Sequence, residues 1–274
     1  VPVIAVAVGN HVRGALGVGD ELQRVGDAPA RGEGALLAVI EDLAAAAQQE
    51  ARRVVEALVV GEADFRSLLE VDLESADPDT RPFERELPAG PGETAYADLW
   101  GCEWVLPPVG RYYGIRRHPL AGAESVADVE RYPWPRGDDP ALLAPIAEAA
   151  RAAWHDRRRA VVLGRTGPGV FEMCQVLRGH EQGLADFAAN PTVSEAIMNR
   201  VLEHKLAFYR AAIGLLLAAG LDWFVVSESD DLGSQGGLLI GRERYRALVK
   251  PRHRRLFDGI RQSSGGRTFV ELHC

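Results

Sequence analysis

Short apolar runs alternate with long helical stretches through the second half of the chain. Arg159-Ala-Val-Val-Leu-Gly164, Trp223 to Val226 and Thr268-Phe-Val-Glu-Leu272 are short, β-branched or aromatic runs, and they predict buried strands. Between them the pattern predicts helices over Pro140–Arg157, Phe171–Leu177, Glu181–Ala188 and a long one from Asn190-Pro191 to Ala219. Asp138 or Asp139 caps the first, and Asn190 and Gly220 bracket the last. Arg242–Gln262 is a further helix that Pro251 must kink or break. In the first half, Val3–Val8 is a candidate strand and Ala35–Val60 a helix, rich in Ala, Leu and Glu. Phe65–Leu73 continues as helix or short strand. Residues 75 to 98 hold four prolines among charges and are expected to be loop or irregular hairpin, before an aromatic segment, Tyr96–Tyr113. Ser125–Tyr132 is a short helix, and Pro133-Trp-Pro-Arg-Gly137 breaks the chain after it.

The three strands share an ending. The first opens into Arg165-Thr-Gly-Pro-Gly169, the second into Ser227-Glu-Ser-Asp-Asp231 and a Gly-rich loop carrying Gln235, and the third into His273-Cys274. So many acidic groups are costly to bury, so they belong where a strand opens to solvent. Parallel βαβ topology puts such ends on one face. The expected fold is therefore an α/β, TIM (β/α)8 barrel. Residues 1–137 form an N-terminal strand, helices and an aromatic, Pro-rich cap region, and 138–274 form βα units of the barrel. The chain starts without Met and stops at a strand end, so the barrel is expected to be truncated at its C-terminus.

Composition narrows the partners. With 47% hydrophobic and 26% charged residues the chain reads as an ordinary soluble globular domain, with small molecules as its expected ligands. A net charge of −8 gives no electrostatic attraction to nucleic acid or to an anionic membrane, so neither is an expected partner. The longest apolar stretch, Ala211–Leu221, is too short to span a bilayer. No signal peptide is expected, and three widely spaced cysteines do not make a disulfide framework, which points to a cytoplasmic location.

Several segments together resemble the uroporphyrinogen decarboxylase superfamily, which includes cobalamin-dependent methyltransferases. They are Phe171-Glu172, Leu177-Arg-Gly-His-Glu181, Leu184-Ala-Asp-Phe187 with Asn190-Pro191, Asp230-Asp-Leu-Gly-Ser-Gln235, Arg246 to Pro251, and the strand ending in His273. Upstream, Asp98-Leu-Trp-Gly-Cys-Glu-Trp104, His118-Pro-Leu120 and Tyr132-Pro-Trp-Pro135 resemble divergent members. The resemblance spans roughly residues 65 to 274 and implies a TIM barrel with its site at the C-terminal mouth. The decarboxylases' N-terminal Arg-Gln-Ala-Gly-Arg-Tyr element, whose arginines engage substrate carboxylates, has no counterpart beyond Gly110-Arg-Tyr112.

The methyltransferase branch carries a His-x-Cys zinc motif at a strand end. His273 matches its His, and Cys274 stands one position early, open between a ligand and a small buried residue. The resemblance thus implies methyl transfer between a corrinoid and a thiol or similar acceptor, with zinc holding the thiolate and a corrinoid protein as partner. The alternatives are a metal-free decarboxylase of uroporphyrinogen or another carboxylated substrate, and a catalytically silent binding protein. Asp230, Asp231 and His273 are the candidate catalytic residues, with the two aspartates not separated. Arg165, Glu228 and Gln235 are candidate substrate ligands, and His273 and Cys274 candidate metal ligands. Glu172, early in a helix, reads as a favourable partner for the helix dipole. His204 and His253 read as surface or packing residues.

Overall fold

The computed structural model describes residues 73–274. The expected strand at Val3–Val8 and helix at Ala35–Val60 lie outside these residues, as does Phe65–Asp72. Within them, β1 (Leu73–Ala76) is followed by β2 (Arg85–Leu87), β3 (Thr94–Ala97), β4 (Glu103–Leu106) and β5 (Gly114–Arg117). Helices α1 (Val126–Arg131), α2 (Pro140–Leu143) and α3 (Ile146–Arg151) lead to β6 (Ala160–Leu163). Then come α4 (Val170–Arg178), α5 (His180–Ala189), α6 (Thr192–Ala218) and β7 (Phe224–Ser229). A small hairpin, β8 (Gly233–Ser234) and β9 (Gly237–Leu238), precedes α7 (Arg242–Arg244), α8 (Lys250–Ser264) and β10 (Thr268–His273).

The main sheet has four strands in the order β1-β6-β7-β10, and β6, β7 and β10 run parallel. Helices connect these parallel strands, as crossover geometry requires. The expected closed barrel is not present among the described residues. The sheet is open, with β1 and β10 at its edges, and four strands fall short of the eight that close a TIM barrel. What the structure supports is a mixed α/β fold with a parallel sheet and helices.

Residues 85–117 form a second, antiparallel sheet in the order β2-β3-β4-β5. The prolines and charges predict loop or irregular hairpin over part of this span, residues 75 to 98. Its strands are only three or four residues long and lie between prolines, so no alternating pattern runs far enough to be recognised. It joins the rest through buried contacts: Trp100 Nε1 donates to the Thr166 carbonyl (3.0 Å), and Arg178 donates to the carbonyls of Leu120 and Ala121.

The core lies between the parallel sheet and its helices. Val161, Leu163, Phe224 and Val226 from the strands meet Phe171, Leu202, Phe208 and Ile213 from the helices, all fully buried. α6, 27 residues long, is the central helix and packs against α4 and α8. Asn190 Oδ1 accepts the Thr192 N–H (3.3 Å) at its start, and Gly220 follows its end at φ +84°. At Pro251 the helix does not break. The ring occupies the second position of α8, and a π-helical turn, Tyr245–Val249, absorbs the missing N–H donor upstream.

Candidate active site

Strand alternation sorts the side chains of β7 onto two faces. Phe224, Val226 and Glu228 face the helices, whereas Ser227 and Ser229 line a cavity of about 500 Å³. The cavity lies at the carboxyl ends of β6 and β7. Arg165 and Gly164 line it from the end of β6, Ser75 and Asp77 from the end of β1, and Glu172 from the first turn of α4. Arg165 is exposed, and its one hydrogen bond among the described residues goes to Ser227 Oγ (3.3 Å). Most of its donors are therefore unclaimed by the described residues, at the wall of the cavity.

Glu172 also lines a second cavity, of about 360 Å³, together with Ile115, His118, Gln175, Asp231 and Leu239. Burial is the chief reason that its carboxyl is pushed above the usual glutamate range, and the neighbouring Asp231 charge pushes in the same direction. The Asp231 N–H (3.4 Å from Glu172 Oε2) and the Arg165 charge partly oppose the shift. A raised carboxyl shared by two cavities is placed to exchange a proton with a bound molecule.

Asp230 is fully buried and lines neither cavity. Its Oδ2 accepts the Phe171 N–H (3.0 Å) and its Oδ1 the Glu172 N–H (2.7 Å). His253 Nε2 donates to the same carboxylate at 2.7 Å. Asp230 thus supplies the orphan N–H groups at the start of α4 with acceptors and fixes Glu172 through its backbone. Gly169, the residue before that helix, permits the approach: a Cβ there would collide with the Ser229 carbonyl and the Asp230 carboxylate.

The remaining expected site residues scatter. Asp231 lines the second cavity, and its Oδ1 lies 3.7 Å from His273 Nδ1, with both side chains about half exposed. Register pairs His273 with Ser229, so His273 shares the cavity-facing side of the sheet. Glu228 points the other way. It is enclosed with Lys205, whose Nζ is 2.8 Å from Glu228 Oε1, and with the Tyr209 hydroxyl, which donates to the same oxygen. Lys205 Nζ also donates to the Gly167 carbonyl (3.2 Å), in the loop that lines the larger cavity. Gln235 is exposed in the turn between β8 and β9 and lines neither cavity. Cys274 is exposed and follows β10 directly.

Both flagged helix histidines are buried. Burial pushes the His204 imidazole down to about 4, which keeps it neutral at physiological pH. Its Nδ1–H donates to the Pro135 carbonyl (3.0 Å), so Nε2 accepts from the Thr166 hydroxyl (3.0 Å). The zinc that the sequence resemblance implies needs three or four ligands. Among the described residues no group of three or more His, Cys, Asp or Glu side chains is placed to hold a metal ion. His273 and Cys274 alone do not fit such a site. No described helix is long and apolar enough to cross a membrane.

The sequence pattern gives Glu172 only a helix-dipole role and assigns none to Asp77, Ser227 and Ser229, all four of which line the larger cavity. Simple alternation from the apolar Phe224 and Val226 would have turned Glu228 toward the helices and the two serines toward the cavity.

No family model matches the chain, and no curated protein matches it. Among solved structures, a methyltransferase from Methanosarcina mazei aligns over 64% of this chain and 48% of its own, at 17% identity and a TM-score of 0.42. This chain therefore spans about half the length of that protein. A likeness of this degree carries no conclusion about fold or activity.

Proposed function

We propose that this chain belongs to a methyl-transferring enzyme, similar to the methyltransferase branch of the uroporphyrinogen decarboxylase superfamily, with its active site in the cavity at the strand ends. The observation that carries the proposal is the pairing, around one cavity, of Arg165 as the lining guanidinium and Glu172 as a carboxyl with a raised pKa. Arg165 would bind an anionic group on the acceptor. Glu172, as general base, would take the proton that an acceptor thiol loses as its sulfur forms the new bond to the methyl carbon, while the bond from that carbon to the methyl donor breaks and the donor keeps the bonding pair. A corrinoid, which the sequence resemblance implies as methyl donor, would deliver the methyl group from outside, because a cavity of about 500 Å³ suits an acceptor and not a macrocycle. No step is assigned to zinc.

A second reading, decarboxylation, is favoured by the same Arg165, which could equally hold a substrate carboxylate, with Glu172 protonating the carbon left behind. One experiment separates the two. The protein is incubated with methylcobalamin and a panel of anionic thiols, and in parallel with carboxylated pyrroles, each with and without a chelator. Demethylation of the corrinoid with formation of a thioether supports methyl transfer. Release of carbon dioxide without thioether formation replaces it by the second reading.

A further inference from the structure

The second cavity contains a polar group that has no partner among the described residues. Gln175, on the second turn of α4, is 4% exposed and lines this cavity. Its side-chain amide makes no hydrogen bond to any of the described residues. The amide faces the cavity with both its donor and its acceptor open to whatever occupies it, a ligand or water. The wall around it is largely apolar, with Ile115, Val176 and Leu239. His118 adds a second polar group of defined character. Its Nδ1 lies 2.7 Å from the Val176 carbonyl, which can only accept, so Nδ1 carries a proton and Nε2 is the ring nitrogen left for a ligand. The carboxylates present are those of Glu172 and Asp231, with no lysine or arginine among the described lining residues, and the second lining histidine, His180, is exposed and screened by water. An anionic ligand is therefore disfavoured. A cation gains little from Asp231, which is about half exposed and screened by water.

We propose that this second cavity is a binding subsite for an uncharged molecule that presents a carboxamide or lactam edge to Gln175 and an apolar body to Ile115 and Leu239. A carboxamide offers one donor and one acceptor side by side, the complement of the glutamine amide. A volume of about 360 Å³ is at the small end of ligand pockets and suits a single ring with one polar substituent. Because Glu172 borders both cavities, the subsite places its occupant next to the molecule held at Arg165. In this respect the proposal rests on the active-site reading above. Binding at Gln175 is nevertheless measurable without turnover, so the two can fail separately.

The test uses benzamide, benzoate, benzamidine and ethylbenzene as probes, followed by ligand-observed NMR and titration calorimetry on the protein as it exists. Benzamide is expected to bind at least tenfold more tightly than benzoate or ethylbenzene. Gln175→Met, which keeps the length and removes the amide, should abolish that preference. Because Gln175 is buried, Ser234→Trp serves as a second variant: it fills the cavity from the exposed β8–β9 hairpin and should block benzamide without touching the core. Benzamide binding that survives both variants would overturn the proposal. So would benzoate or benzamidine binding more tightly than benzamide.

Discussion

Glu172 illustrates how one residue's position couples stability to chemistry. A carboxyl whose pKa rises on folding prefers to be protonated in the native state. Its contribution to stability is therefore full below the unfolded value and is lost as pH climbs through the folded one. Glu172→Gln removes that loss. The variant should match the parent's melting temperature near pH 4 and exceed it near pH 8, as read by thermal unfolding at the two pH values. An equal offset at both would show that Glu172 is not strained by its surroundings. Asp230 contributes through its hydrogen bonds. With two backbone N–H groups and His253 on its carboxylate, Asp230→Ala should cost about 2–4 kcal/mol in urea unfolding. A loss within about 0.5 kcal/mol, usual for a surface change, would remove it from the helix start. The sequence did announce an important acidic pair here. Which member faces a cavity depends on the helix that docks behind the strand, and local pattern does not carry that information.

Among the elements, the helices were the most legible. Their periodicity is long, and the cap at Asp139 is local chemistry, its carboxylate accepting the Ala141 N–H, whereas the cap position of α6 falls on Pro191 and not on the expected Asn190. The three parallel strands were legible because each is a short apolar run between helices. The antiparallel sheet was not, because its order comes from contacts made far along the chain, such as Trp100 to Thr166. Lys205 is an intermediate case. It continues the apolar stripe Val201, Leu202, Phe208 and Tyr209 of α6, a position that requires a buried partner, and Glu228 on β7 is that partner. The pair ties α6 to the sheet and, through Gly167, to the cavity loop. Lys205→Met leaves a buried carboxylate uncompensated and should cost about 3–5 kcal/mol. The double variant Lys205→Met with Glu228→Gln should recover much of that loss, because the Tyr209 hydroxyl can still donate to the amide oxygen. Chemical denaturation of the three variants measures the coupling, and simple additivity would argue against it.

For the whole molecule, β6, β7 and β10 run parallel, so their carboxyl ends share one side of the sheet, but the cavity there is lined from β1, β6, β7 and α4, with Arg165 and without Asp230, Asp231 or His273. The closed barrel does not follow from the described residues, whose parallel sheet stops at four strands. The gap has a physical origin. Topology rules fix which ends of the strands meet, whereas closure depends on how many strands the sheet contains. The central claim is that this strand-end cavity is where chemistry occurs and that Glu172 moves the proton. The most direct measurement is the pH dependence of turnover for the parent and for Glu172→Gln, with the substrate identified by the assay described above. The account predicts that the parent's rate falls on the acid side through a pKa above the usual glutamate range. In Glu172→Gln that limb should vanish and the rate should drop by about 10²–10⁴-fold. A variant that keeps both the parent's rate and its acid limb would contradict the account.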